Sequence, residues 1–402
     1  MLVAKDPARR PVFASRADAL ASARALAPAL RERAAKADRD RMVSAENIAE
    51  ISRAGLFRLM APRIHGGSQL GFASLIEVTA ELASACGSTG WLFGVLAGHN
   101  WLLGLFPPEA QGEVFDNPDS LVASVVRLGG QKPRRVPGGY RIENATGGYC
   151  SGIDHSDWIV VGAGVEKGEG VETTYLLVPK SEVEVVDDWF TTGMRGTGSR
   201  TIRVSDSFVP EHRGVPVAAM ARGEAPGALF HDVSLYRAPF PQVLPVSLSG
   251  APLGIGRGAV NVFAETFARK IAGWPEEQIG EQAAFFTRLA EASAEADSAF
   301  ALVLNTCVEI DALADGSKAT ALERARYMRD ISHGAWRSRL AVNSLFEASG
   351  GSGIFDSREL QRVWRDINAA AAHNSFVRER AGGMYGRAIL GLPPSKFDRI
   401  GQ

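Results

Sequence analysis

The feature that most constrains the fold of this chain is a change of pattern along it, from helical to strand-like and back. Residues 15–41 are rich in Ala, Arg and Leu at helical spacing, and similar segments follow at about 44–56, 72–86 and 88–105. Short β-branched and aromatic runs, separated by turn residues, occupy about 120–215. Helical patterns then return. We therefore expect two helical regions separated by a strand-rich one.

This pattern divides the chain of 402 residues into four predicted parts. An all-helical N-terminal domain covers residues 1–119, and a central antiparallel β-barrel domain covers 120–215. A linker rich in Pro, Gly and Ala spans 216–240, and a C-terminal helical bundle of four helices spans 241–402. The predicted fold class is therefore α+β with several domains.

The clearest helical periodicity lies in residues 276–314. Apolar residues recur there at steps of three and four, which predicts one stripe buried against neighbouring helices. They are Ile279, Ala283, Phe286, Leu289, Ala292, Ala296, Ala299, Val303, Cys307 and Ile310. A further helix is expected over about 318–348, followed by a glycine-rich break at 350–353.

Charge and composition argue against several classes of function. The formal net charge is −1 with no basic block, so neither nucleic acid nor an anionic membrane is an expected partner. The sequence contains no run of about 18 apolar residues, so no membrane span is predicted. Three separated cysteines and the absence of a signal-like segment at Met1–Asp6 favour a cytoplasmic protein. The histidines lack metal-ligand spacing, so no metal site is predicted.

One late stretch points to chemistry. Four alanines, Ala369–Ala372, precede His373 in a segment predicted to be helical. Such small side chains let a bulky, flat molecule approach the backbone, with an imidazole at its edge. Histidine suits proton transfer because its ordinary pKa is near neutral. The competing interpretation is a histidine satisfied in a seam between helices.

Five stretches, in the same order along the chain, resemble the acyl-CoA dehydrogenase fold, and the resemblance spans about residues 20–395. They are Gly87–Trp91 with His99, Tyr149–Trp158, Asp187–Ser199, Phe208–Pro210, and Arg362–His373 with Tyr385–Arg387. Their local motifs are similar to the group D two-component flavin-dependent monooxygenases. These include dibenzothiophene, hydroxyphenylacetate, secosteroid-phenol and aromatic polyketide hydroxylases.

The resemblance implies an oxygenase component that receives reduced FMN or FAD (FMNH2 or FADH2) from a separate NAD(P)H:flavin reductase. With O2 the reduced flavin would give a C4a-hydroperoxyflavin, which hydroxylates an aromatic or polycyclic small molecule. The protein would position the flavin, exclude water and manage protons. A homotetramer is also implied.

Three catalytic residues follow from the resemblance. His373 and Ser151 would manage the hydroperoxide, with Ser151 beside the N5 and C4a edge of the flavin, and His99 would orient or deprotonate the substrate. The alternatives are a turn serine for Ser151 and a core histidine for His99.

The resemblance also implies a set of binding residues. The cofactor would contact Ser124 and Ser151 in the barrel, Trp189 against the isoalloxazine, Arg269 at a phosphate across a subunit boundary, and Gly350 and Gly351 where backbone approaches it. The substrate pocket would include Trp91, His99, Trp101 and His155. Small residues such as Ala97, Gly98 and Gly152 hint at room for a multi-ring molecule.

Other functions stay open. An acyl-CoA dehydrogenase-like desaturase or oxidase of this fold needs a carboxylate base over the flavin, usually with a Thr-Glu pair near residue 124. The strand Ala123–Arg127 has no acid, and the late position offers His373. An S- or N-oxygenating member of the same fold and a non-catalytic flavin-binding relative are further alternatives.

Overall fold

The N-terminal region consists of helices in the computed structural model, which describes residues 10–168, 170–313 and 318–395. The helices are α1 (Arg16–Asp40), α2 (Ala45–Arg53), α3 (Phe72–Ala85), α4 (Gly87–Leu103) and α5 (Pro108–Phe115). Helices were predicted at these places. Ser44 caps α2, because its Oγ accepts a hydrogen bond from the Asn47 N–H at 3.2 Å.

Strands occupy the middle of the chain. They are β1 (Val122–Val125), β2 (Gly129–Gly130), β3 (Arg134–Val136), β4 (Gly139–Cys150), β5 (Trp158–Lys167), β6 (Gly170–Pro179), β7 (Glu184–Val186), β8 (Arg200–Pro210) and β9 (Gly214–Pro216). They form one sheet in the order β7-β8-β4-β3-β5-β6-β9, with β1 beside β5 and β2 beside β4.

The predicted strand-rich middle is present as one sheet, with two differences from the expected antiparallel barrel. The β1–β5 pairing is parallel, and β3 also meets β5 in parallel at one position, so the sheet is mixed. Within the described residues β7 and β9 end the pairing path and do not pair with each other, so hydrogen bonding does not close the barrel. The chain between β1 and β5, residues 126–157, is long enough for the connection that parallel strands need.

Helices return after residue 216. They are α6 (Val217–Arg222), α7 (Pro226–His231), α8 (Val246–Ile271), α9 (Glu276–Gly280), α10 (Ala283–Asp311), α11 (Ala321–Ala348), α12 (Glu359–Ala370) and α13 (Arg378–Ile389). The predicted linker therefore contains α6 and α7. Long helices α8, α10 and α11 pack together, with α12 and α13 alongside. No helix of the described residues is long and apolar enough to cross a membrane.

The periodic segment 276–314 is two helices, because Gln282 leaves helical geometry between them. The second half of the predicted stripe, from Ala292 to Ile310, is buried, whereas Phe286 is 41% exposed. The prediction of a continuously buried stripe is therefore correct only for α10 beyond its first turns. The domain limits stay a prediction, and residues 1–9 and 396–402 lie outside the described part.

The two helical regions share one hydrophobic cluster, and the sheet has a second one. A carboxylate also joins the helical regions. Asp311, at the end of α10, accepts hydrogen bonds from the Phe72 and Ala73 N–H groups at 2.7 and 2.9 Å, which caps α3 from another part of the chain. Gly71 is required beside it, since a Cβ there would lie 2.3 Å from the carboxyl group.

Candidate active site

The indole of Trp91, in the first turns of α4, connects two of the predicted catalytic residues. Its Nε1–H donates a hydrogen bond to Ser151 Oγ at 3.2 Å. Its ring lies edge-on to the His373 imidazole, with centroids 5.5 Å apart. Ser151 and His373 are 222 residues apart in sequence (373 − 151), yet both contact one buried side chain. That they act at one site stays a prediction, which this shared contact supports.

His373 lies in a turn rather than in the last helix. The predicted helix ends at Ala370, because Ala371 is its C-cap and His373 has extended backbone geometry (φ −59°, ψ 141°). His373 Nδ1 accepts a hydrogen bond from the Ser375 N–H at 3.1 Å. Burial, together with the charge of Arg380, lowers the pKa of His373 to about 4. The imidazole is therefore neutral at pH 7, and its proton is on Nε2.

Ser151 follows the end of β4 in a tight turn. Tyr149 has a φ of +61°, and Gly152 has a φ of +76°, a conformation that suits glycine. A Cβ on Gly152 would come within 3.3 Å of Leu92 and Leu96 of α4. This close approach sets the serine against α4, where Trp91 reaches it.

The Ser151 hydroxyl also belongs to a row of hydroxyl groups. Ser151 Oγ lies 2.7 Å from Ser199 Oγ, and Ser199 Oγ lies 2.7 Å from Thr197 Oγ1. Thr197 Oγ1 donates to the Met194 carbonyl at 2.8 Å. The resemblance had pointed to the segment 187–199, but not to these hydroxyls.

The segment carrying Thr197 and Ser199 is fixed to α12. Asp366 Oδ1 accepts a hydrogen bond from the Met194 N–H at 2.6 Å. Burial raises the pKa of Asp366 to about 6, while the charge of Arg362 lowers it. Gly193 lies directly on the helix, since a Cβ there would be 2.1 Å from the Arg365 carbonyl oxygen. Asp366 was not among the predicted site residues.

His99 is buried on α4, two turns beyond Trp91. Its Nδ1 lies 2.6 Å from the Val122 carbonyl oxygen, so Nδ1 carries the proton and Nε2 presents a lone pair. Burial lowers the pKa of His99 to about 4. Ser124, two residues after Val122 on β1, is half-buried and faces the same side of the sheet as Val122.

Trp189 packs against the exposed ring of Tyr149, with centroids 5.9 Å apart and planes at 81°. Its Nε1–H donates to the Met194 carbonyl at 3.1 Å. Phe190 is 70% exposed beside it. These rings form an aromatic surface next to the Ser151 turn, and Tyr149 and Phe190 were not among the predicted site residues.

Two predicted substrate-pocket residues have contacts that hold the fold together, and their place in a pocket stays a prediction. Trp101 is in the core, where it lies against Phe72 and Phe240 and donates to the Leu235 carbonyl at 2.8 Å. His155 Nε2 donates to the Val43 carbonyl at 2.8 Å and so joins the Ser151 turn to the α1–α2 connection. Among the described residues, neither has a hydrogen bond or ring contact with Ser151 or His373.

The predicted phosphate and backbone contacts lie at the surface. Arg269 is in the last turn of α8 and exposed. Gly350 has a φ of +61°, and a Cβ on Gly350 or Gly351 would meet nothing within 4 Å among the described residues. Ile354 and Phe355, just after them, are 64% and 61% exposed.

The small residues that hinted at an open pocket serve close helix packing. A Cβ on Gly98 would lie 2.6 Å from Ser247 Cβ of α8. Ala97 is fully buried. A cleft of about 1280 Å³ does exist, between α1, α8 and α12, but its lining includes Arg31, Arg362 and Arg365 rather than Trp91, Ser151 or His373. The interpretation of these small residues as pocket space was wrong.

Comparisons with known proteins agree with this fold. Residues 17–114 match the acyl-CoA dehydrogenase N-terminal domain family, and residues 246–378 match the acyl-CoA dehydrogenase C-terminal domain family. The chain is 35% identical over 373 residues to the flavin-dependent monooxygenase oxygenase subunit HsaA of Mycobacterium tuberculosis, covering 92% of this chain and 94% of the relative.

The chain belongs to the flavin-dependent monooxygenases of the acyl-CoA dehydrogenase fold. The FADH(2)-dependent resorcinol hydroxylase oxygenase component of a Rhizobium species is 32% identical to this monooxygenase, covering 92% of this chain and 93% of the relative. The crystal structure of 3-HSA hydroxylase from Rhodococcus sp. RHA1 superposes with a TM-score of 0.89 at 32% identity, covering 95% and 99% of the two chains. The predicted fold family, enzyme class and flavin dependence are confirmed.

Proposed function

We propose that this monooxygenase is the oxygenase component of a two-component system that hydroxylates an aromatic or polycyclic small molecule. It would use reduced FMN or FAD and O2. The observation that carries the proposal is the shared contact of Trp91 with Ser151 and His373, which sets a hydroxyl and a neutral imidazole around one site.

The residues present fit a reduced flavin. Tyr149 and Trp189 offer apolar ring surfaces, and Ser151 and His373 offer half-buried polar groups beside Trp91. A reduced flavin bound there supplies the electrons that activate O2. The protein's own task is then to orient it, exclude water and hold protons at defined atoms.

His373 holds a proton at Nε2 throughout the neutral pH range, since its Nδ1 is occupied by the Ser375 N–H. A group of this kind donates a hydrogen bond without acquiring a charge. With a pKa of about 4, it is a weak base and poorly suited to abstract a C–H proton. This supports oxygenation over the desaturase or oxidase alternative.

His99 has the opposite arrangement, because Nδ1 donates to Val122 and Nε2 is left to accept. We assign it to the substrate, where it accepts the hydrogen bond of a phenolic or indolic group and raises the electron density of the ring. Eight residues separate it from Trp91 on α4 (99 − 91), a rise of about 12 Å. A substrate of several fused rings is long enough to span that distance, whereas a single ring is not.

The surrounding assembly follows from the same proposal. Arg269, Gly350 and Gly351 would contact the flavin of a neighbouring subunit in a homotetramer, since all three lie at the surface. Exposed Phe286, Ile354 and Phe355 support burial of this region by another subunit. A separate NAD(P)H:flavin reductase would supply the reduced flavin, and we expect the enzyme to be cytoplasmic.

The proposal is tested by mixing the protein and anaerobically reduced FMN or FAD with O2 in a stopped-flow spectrometer. We expect a long-lived absorbing species that differs from oxidised flavin. Immediate reoxidation with both flavins would contradict the proposal. Adding phenols, resorcinols and fused-ring phenols with isotopically labelled O2 should then give a product that contains one labelled oxygen atom.

A further inference from the structure

The row of hydroxyl groups beside Trp91 has a fixed direction, because both of its ends are chemically defined. At one end, the Trp91 Nε1–H can only donate, and it donates to Ser151 Oγ. At the other end, the Met194 carbonyl can only accept, and it accepts from Thr197 Oγ1 at 2.8 Å. Each hydroxyl between these ends has one hydrogen to give.

Every hydrogen in the row is therefore assigned. Thr197 donates to the Met194 carbonyl, so Thr197 accepts from Ser199. Ser199 has then used its hydrogen, so it accepts from Ser151. Ser151 therefore donates its hydrogen to Ser199, and it can offer a further partner only a lone pair. Ser199 and Thr197 are buried at 4% and 2% exposure, which limits competition from water for these bonds.

We propose that Ser199 and Thr197 are positioning residues that fix Ser151 as a hydrogen-bond acceptor, and that the site thereby favours reduced over oxidised flavin. Flavin N5 bears a hydrogen in the reduced state and only a lone pair in the oxidised state. Because Ser151 can only accept, it forms a hydrogen bond with the N5–H of reduced flavin. In oxidised flavin it would face the lone pair of N5, which is unfavourable. This inference rests on the proposed function and deepens it, since it concerns the redox state of the flavin.

Flavin binding, measured without catalysis, tests the inference. The dissociation constants of FMN and FAD are measured by equilibrium dialysis for the oxidised forms and anaerobically for the reduced forms. The quantity compared is the ratio of the oxidised to the reduced constant. In Ser199→Ala the Ser151 hydrogen is released and can point to oxidised N5, so we expect this ratio to fall by about tenfold, the effect of roughly one hydrogen bond.

Thr197→Val should act in the same direction, because Ser199 then loses its acceptor and can donate back to Ser151. Thr197→Ser keeps an oxygen at that position and should restore the wild-type ratio. Ser156→Ala is the matched control: Ser156 is a buried serine of the same turn, and its hydroxyl donates to the Gly152 carbonyl at 2.9 Å, outside the row. Its ratio should equal that of the wild type.

The outcomes separate two ideas. If folded Ser199→Ala and Thr197→Val both keep the wild-type ratio, the row does not orient Ser151 and the inference is overturned, while the proposed function stands. An equal fall in Ser156→Ala would also overturn it, because the effect would then be general loosening of the turn. If the wild-type protein binds neither flavin in either redox state, the proposed function fails and the inference fails with it.

Discussion

The Trp91 indole donates its Nε1–H to Ser151 at 3.2 Å while its ring edge lies 5.5 Å, centroid to centroid, from the His373 imidazole. One rigid ring therefore sets the separation between a hydroxyl from the sheet and an imidazole from the C-terminal region. Both histidines assigned to the chemistry also use Nδ1 for a backbone contact. Their functions consequently depend on Nε2.

We predict that His373→Asn shortens the lifetime of the oxygen-dependent species by about tenfold or more, the scale of a lost hydrogen bond or proton donor. The asparagine oxygen can replace Nδ1 as the acceptor for the Ser375 N–H, so the cap and the stability should be kept. Stopped-flow absorbance gives the lifetime. His373→Gln, which can place an N–H near Nε2, should retain part of it. Equal lifetimes in all three proteins would remove His373 from the chemistry.

His99→Asn should leave the oxygen-dependent species at its normal lifetime but lower the yield of hydroxylated product severalfold. The asparagine N–H can still donate to the Val122 carbonyl, whereas the acceptor at Nε2 is gone. Product yield per reduced flavin, measured by chromatography, is the readout. Unimpaired hydroxylation with a phenolic substrate would make His99 a core residue only.

Gly193→Ala should destabilise the protein by about 2–4 kcal/mol, because the new Cβ would lie 2.1 Å from the Arg365 carbonyl oxygen and backbone must move. Gly148→Ala is the control, since its Cβ would meet Thr201 Oγ1 at an ordinary 3.6 Å. Urea unfolding of both variants measures the difference. Similar stabilities would show that the 187–199 segment can leave α12 at little cost.

The free energy of unfolding should fall as the pH drops from about 7 to 5. His99, His231 and His373 have pKa values lowered from 6.5 to about 4, mainly by burial. At pH values between about 4 and 6.5, these histidines bind more protons in the unfolded chain than in the folded chain, so acid favours unfolding. Asp366 acts oppositely, because its pKa is raised from 3.8 to about 6.

Urea midpoints at pH 7 and pH 5 measure this dependence. His373→Asn should make the urea midpoint less dependent on pH. Asp366→Asn should make it more dependent on pH, because this substitution removes the carboxyl group that opposes the histidines. The chosen range lies above 4.5, where paired surface carboxylates such as Glu50 and Glu113 contribute little. A midpoint that is higher at pH 5 than at pH 7 would contradict the histidine assignment.

The sequence predicted the order of elements because periodicity and caps are local. Ser44 and the apolar steps of α10 each act within a few residues, and the structure agrees with them. The end of α12 at Ala370 was missed, because four alanines carry no stop signal and the turn depends on the His373 side chain itself. Gly98 was misinterpreted because a glycine at a helix contact and a glycine at a cavity look alike in sequence.

The candidate site was predicted only in part. Ser151, His373 and His99 came from a resemblance between motifs, and spacing alone could not have placed Ser151 and His373 on one tryptophan. The roles of Ser199, Thr197 and Asp366 depend on contacts over long sequence separations, which no local pattern reports. Trp101 illustrates a different difficulty, because the sequence does not tell whether an aromatic residue near a site motif lines a pocket or packs in the core.

The carboxylate of Asp311 on the first backbone amides of α3 couples the stability of the N-terminal helices to that of the C-terminal helices. A fragment that stops after the sheet would leave those amides with no protein acceptor and would also expose the apolar surface that α8 covers. Proteases that nick the surface loops should therefore leave a nicked but associated enzyme, rather than release an autonomous N-terminal half.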